Sequence, residues 1–115
     1  MSSTIYHNPR CSTSRNALQL LEEAGLQPTI VEYLKNPPSR QTLAGLIEQS
    51  GLTVRQAIRE KESLFKELGL DDPSLSDDQL LDAMLENPIL INRPFVTTPK
   101  GSRLCRPYEL VKEII

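Results

Sequence analysis

Cysteine and histidine are nearly missing from this chain of 115 residues, which holds two cysteines, Cys11 and Cys105, and a single histidine, His7. Two thiols so far apart do not make the disulfide framework of a small secreted protein, and a reducing compartment would keep both reduced. One histidine without clustered cysteines does not supply a structural zinc site, so no metal is expected. Neither sign of charge is in strong excess. Fifteen acidic against thirteen basic residues leave a net charge of -2, which argues against bulk attraction to nucleic acid or an anionic membrane. No apolar run approaches membrane-spanning length, and no basic segment followed by an apolar stretch opens the chain. The expected home is therefore the cytoplasm. Internal repeats, low-complexity segments and linkers are also lacking. The length fits one domain, 1–115, with a real hydrophobic core.

What is present is concentrated near the N-terminus. Ile5-Tyr6 reads as a strand, and Asn8-Pro9 breaks it, because proline lacks a backbone donor and restricts the residue before it. From about Ser14 the chain turns helical, with Ala17, Leu20, Leu21 and Ala24 at i, i+3, i+4, i+7 spacing. Cys11 thus falls in a strand-to-helix loop, where unpaired N–H groups and the positive end of the helix dipole point at it. That setting favours a thiolate, and the same N–H groups would seat an oxyanion.

Gly25 is a natural helix stop, and Thr29–Leu34 reads as a β-branched strand, completing a βαβ unit with parallel strands. Helices follow over about 39–86. Ser39 is placed as an N-cap ahead of Leu43, Leu46 and Ile47, with an end near Gly51. Thr53 with Gln56 and Ser76 with Gln79 have the form of capping boxes. The first should open a helix burying Val54, Ala57 and Ile58, and the second one burying Leu80, Leu81, Met84 and Leu85. Between them lies a short helix through Leu64, Phe65 and Leu68. β character returns at Ile89-Leu90-Ile91 and at Phe95–Thr97. Thr98-Pro99-Lys100-Gly101 suits a type I turn, and Ser102–Cys105 should pair back as a hairpin. A last helix starts at Arg106-Pro107, with Pro107 near N1 and Leu110, Val111 and Ile114 inward.

The order is βαβ, helices, ββα. It is an α/β, thioredoxin-like order (a mixed sheet flanked by helices) with an all-helical insertion between its halves, and it puts the first strand-to-helix loop where that fold keeps its reactive cysteine. Pro94 is the candidate for the cis proline such proteins carry before the third strand.

Cys11, flanked by Arg10 and Ser12 in a polar turn, reads as a reactive thiol rather than a small core residue. The positive charge of Arg10 next to it should favour thiolate and anion. Ser14 occupies the fourth place of Cys11-Ser12-Thr13-Ser14, where a dithiol oxidoreductase has its second cysteine. An adducted Cys11 must then be released by an outside thiol, or by Cys105 if the fold brings it close. Ser14 is left to cap the helix or to hydrogen-bond the thiolate, with capping the simpler role. His7 either tunes Cys11 or packs at the end of the strand. Cys105, at a strand position, is read as a structural thiol. Arg59, Arg93 and Arg106 suit surface solvation taken singly, but several guanidinium forks around one anion would hold a tetrahedral oxyanion against a thiolate.

Four segments in order, His7–Asn16, Tyr33–Ser39, Asn87–Pro94 and Arg103–Pro107, closely resemble the glutaredoxin-dependent arsenate reductases of bacteria. The resemblance implies a thioredoxin-like domain with a helical insertion and Cys11 as the nucleophile. It implies that Arg59, Arg93 and Arg106 bind the oxyanion and that His7 tunes the cysteine. The implied cycle has no bound cofactor. The thiolate attacks arsenate with loss of hydroxide or water, glutathione joins the arsenic as co-substrate, two electrons pass to it and arsenite leaves. Glutaredoxin then clears the mixed disulfide on Cys11. The best-known members have small residues on both sides of this cysteine and a C-terminal extension. Here the cysteine is flanked by Arg10 and Ser12 and the sequence ends at Ile115, and in this reading Arg10 places the chain in a divergent branch of the family. Two alternatives share the fold: a Spx-type regulator that binds RNA polymerase, whose usual Cys-x-x-Cys is broken here by Ser14, and a glutathione-linked thiol oxidoreductase with another substrate.

Overall fold

Four short strands, β1 (Thr4–His7), β2 (Thr29–Glu32), β3 (Phe95–Thr98) and β4 (Gly101–Leu104), form one sheet in the order β2-β1-β3-β4. The structure is a computed structural model, and it describes residues 2–115. β1 runs parallel to β2, with His7 opposite Glu32, and antiparallel to β3, with Ile5 opposite Val96. β3 and β4 are the expected hairpin, closed by a turn at Pro99-Lys100. Helix α1 (Ser12–Glu23) makes the crossover from β1 to β2, and helices α2 (Arg40–Gln49), α3 (Val54–Ala57), α4 (Ser63–Glu67) and α5 (Asp77–Glu86) lie between β2 and β3. This is the thioredoxin-like arrangement with helices between its two halves.

Side chains alternate along a strand, so each central strand feeds two cores. Ile5 and Val96 pack with Ala17 and Leu21 of α1 and with Cys105, Val111 and Ile114. Phe95, next in line to Val96, joins the opposite core with Tyr33, Leu43, Ile47, Leu80, Met84 and Leu90. Each fully buried aliphatic side chain in these cores contributes about 1.5–3 kcal/mol of transfer free energy. The sheet is thus covered on both faces, and its C-terminal strand ends carry the loops around Cys11.

The three expected N-caps are present: Ser39 accepts from the Thr42 N–H, and Thr53–Gln56 and Ser76–Gln79 are complete capping boxes. Several boundaries differ from expectation. β2 stops at Glu32, and Tyr33 turns into the core instead of extending the strand. α3 is a single turn, because Ile58 goes extended to form a bridge with Ile91. Pro88–Leu90 is a 3-10 turn, not a strand, and only Ile91 keeps β pairing. Leu68 is exposed, Phe65 alone being buried from α4. β4 begins at Gly101 and ends before Cys105. The last segment, Tyr108–Ile114, is a 3-10 helix preceded by Pro107. The Arg93–Pro94 peptide is cis, as is Arg106–Pro107. Among the described residues no helix is long and apolar enough to cross a membrane, and no group of three or more acidic, histidine or cysteine side chains is placed to hold a metal ion.

Candidate active site

The loop after β1 is built from its own polar groups. The Asn8 carbonyl accepts from the Cys11 N–H at 3.0 Å, and Asn8 Oδ1 accepts from the Arg10 N–H at 3.0 Å. The helix begins two residues earlier than its apolar spacing suggests, so Cys11 itself is the N-cap, with extended backbone angles. Ser14 therefore does not cap α1. It lies inside the first turn, fully buried, where its Oγ pairs with His7 Nδ1 at 2.7 Å and accepts from the Asn8 N–H at 3.0 Å. That pair ties the end of β1 to the start of α1 and fixes the loop between them.

Cys11 is half-buried. Burial alone would push its thiol up, but four groups outweigh it and bring its pKa below the ordinary thiol value. They are the backbone N–H of Ser14, the charge of Arg93, a hydrogen bond from Arg106 and the backbone N–H of Thr13. Arg106 Nη1 stands 3.8 Å from Sγ. No acidic residue occupies the first turn of α1 to cancel the positive end of its dipole. Arg10, expected to favour the anion by adjacency, is exposed and lines a separate cavity of about 420 Å³ with Pro9, Leu34 and Lys35. His7 is buried, and desolvation keeps its pKa below the ordinary value, so it is neutral at pH 7. Its contact with the thiol runs through Ser14.

Arg93 is 7% exposed, and its Nε and Nη1 have no hydrogen-bond partner among the described residues. A buried guanidinium left in this state is costly unless an anion satisfies it. Its backbone carbonyl accepts from Arg106 Nη1 at 3.0 Å, which brings two of the three expected arginines together beside the sulfur. Arg59 arrives by a different route. The Arg59 N–H donates to the Leu90 carbonyl at 2.7 Å and the Asn92 N–H to the Ala57 carbonyl at 2.8 Å, either side of the Ile58–Ile91 bridge. This short pairing sets Arg59 alongside the Asn92-Arg93 loop. Arg59 also pairs with Glu62 at 3.6 Å, and with Arg106 it lines a cavity of about 290 Å³.

Cys105 is sealed in the core behind Ile5 and Val111, and burial pushes its thiol up to about 12. That is the structural thiol expected. One residue escaped the sequence reading. Tyr33, 1% exposed, lies where the charges of Arg93, Cys11 and Arg59 are felt at its phenol, which burial nevertheless pushes up. Its position one residue beyond the His7–Glu32 pair, level with the cysteine loop, is the signal that would have located it.

A thioredoxin-like sheet presenting one depressed thiol at a helix N-terminus, with guanidinium groups beside it, defines a member of that fold with a single accessible thiol set among cations. The sequence profile of the ArsC family matches residues 6–114. An arsenate reductase of Rhizobium meliloti (strain 1021) is 66% identical over 115 residues, spanning 100% of this chain and 82% of that protein. One from Escherichia coli (strain K12) is 52% identical over 112 residues, 97% of this chain and 79% of that protein. The solved arsenate reductase from Vibrio cholerae superposes with a TM-score of 0.95 at 50% identity, covering 100% of this chain and 98% of that one. The chain belongs to the ArsC family.

Proposed function

We propose that this protein is an arsenate reductase working through a thiolate adduct at Cys11 in the cytoplasm, with glutathione as co-substrate and glutaredoxin as the reductant that clears the enzyme. Residues 1–115 act in this reading as one domain. The observation that carries it is the buried Arg93 fork, with two nitrogens unpartnered beside a thiol whose pKa is held down. A tetrahedral oxyanion would satisfy those donors and share the guanidinium groups of Arg106 and Arg59. The Cys11 sulfur attacks arsenic(V) and one oxygen leaves as hydroxide or water. A glutathione sulfur then takes a second position on arsenic, and a second oxygen leaves as water. Formation of the Cys11–glutathione disulfide delivers two electrons to arsenic, which departs as arsenite. His7 and Ser14 act by holding the loop and the Ser14 N–H in place.

The relatives' shared name, over nearly the whole length, supports the same reaction. The regulator alternative has less support, since the fourth position carries Ser14, engaged with His7, and no second thiol. In an assay that couples glutathione reduction to NADPH oxidation, with glutaredoxin present, wild type should turn over arsenate. Cys11→Ser should abolish turnover, and Cys105→Ala should largely spare it. Turnover surviving in Cys11→Ser would sink the mechanism.

A further inference from the structure

The cavity shared by Arg59 and Arg106 is larger than a tetrahedral oxyanion needs, at about 290 Å³, and it is strongly cationic in a protein whose net charge is -2. Arg55, Arg59, Lys61 and Arg106 line it, against one carboxylate, Glu60. Arg55 is committed to the fold, because its Nη1 and Nη2 donate to the Leu70 and Asp72 carbonyls at 2.9 Å each. Lys61 is exposed and is not needed by either core. Arg106, in the same lining, stands 3.8 Å from the Cys11 sulfur.

An oxyanion held by Arg93, Arg106 and Arg59 does not use Lys61, Glu60 or Asn92. The chemistry of release says what does. The second thiol of this chain is sealed in the core, so the sulfur that frees Cys11 comes from outside. We infer that the cavity between Arg106 and Lys61 is the docking site for that incoming thiol, and that it selects a small thiol bearing carboxylates and an ammonium group. Lys61 supplies a cation for a carboxylate, Glu60 an anion for the ammonium and Asn92 an amide, all three in the lining. Glutathione, an anionic tripeptide with two carboxylates and one ammonium, is a thiol of this kind. The inference rests on the external-thiol cycle proposed above and adds to it the surface on which the thiol is held.

The site can be tested without arsenate. The Cys11 thiolate attacks one sulfur of glutathione disulfide, the S–S bond breaks, one glutathione thiolate leaves and the Cys11–glutathione disulfide forms, so electrons balance within the exchange. Its rate is followed by intact mass on the full chain, with the uncharged 2-hydroxyethyl disulfide as the comparison. Lys61→Glu should slow reaction with glutathione disulfide roughly fivefold or more while leaving the uncharged disulfide unchanged, as loss of a guiding charge does. Lys61→Arg should behave as wild type. Lys35→Glu, in the separate cavity of Arg10, controls for charge at a distance and should change neither rate. Three results would overturn the site: no selective slowing in Lys61→Glu, equal slowing in Lys35→Glu, or a wild type inert to both disulfides. Charge-selective exchange in a protein that does not turn over arsenate would leave the docking site standing and remove only the arsenate reading.

Discussion

At the scale of single residues, the chemistry comes from which groups are left without ordinary partners. Cys11 sits where a capping serine or aspartate usually would, so the N–H groups of Ser14 and Thr13 lower the pKa of a sulfur without a capping oxygen between them. Arg106 adds a cation at 3.8 Å, and each of these favours the charged form. The alkylation rate of Cys11 against pH should therefore reach its midpoint below that of an ordinary thiol, and Arg106→Ala should move that midpoint upward. An unmoved midpoint in Arg106→Ala would show that the guanidinium does not act on the thiol. The placement of Cys11 at the start of α1 was legible from its neighbours alone, since a proline-broken strand running into an amphipathic helix puts it there. The role of Ser14 was not. Capping is the local reading of a serine near a helix start, but the helix begins earlier and a buried histidine claims the hydroxyl. Arg10 was read from adjacency alone, and the structure places it exposed on the cavity of Pro9, Leu34 and Lys35.

At the scale of elements, the helix starts were the most legible features, because a capping box is a complete hydrogen-bond exchange within four residues. Ser39, Thr53 and Ser76 all cap where expected. Removing one should cost stability and nothing else: Ser76→Ala is expected to lower the unfolding free energy by about 1 kcal/mol in a denaturant titration, with kcat/KM for arsenate unchanged. A change in kcat/KM without loss of stability would mean that α5 reports to the site in a way this account lacks. The elements misread from sequence are those decided by distant partners. Ile89-Leu90-Ile91 has β-branched character, yet Pro88 and the demand of Leu90 for the core give a 3-10 turn. Ile58 leaves α3 after one turn because Ile91 offers it a bridge, and that same bridge sets Arg59 beside the loop of Arg93. Nothing within ten residues of Arg59 announces this pairing. Its place in the site came from family resemblance and not from periodicity.

At the scale of the whole molecule, two cores on opposite faces of one sheet hold apart the two thiols, one sealed and one at the rim. The order of elements was legible, since βαβ and ββα halves flanking a capped helical block leave few topologies. The convergence of Arg59, Arg93 and Arg106 was not legible from residues alone, because it depends on the inserted helices folding back over the C-terminal ends of the strands. The molecule keeps at that meeting point a buried guanidinium with two nitrogens unpartnered among the described residues, a feature that stability alone would remove. The most direct measurement is therefore arsenate kinetics and thermal melting of Arg93→Met side by side, methionine preserving most of the apolar stem. The account predicts kcat/KM for arsenate down roughly 100-fold or more, as for loss of a preorganised anion donor, with a melting temperature equal to or above wild type. Undiminished kcat/KM with a collapsed melt would contradict it, and would make Arg93 a pillar of the fold instead of the seat of the oxyanion.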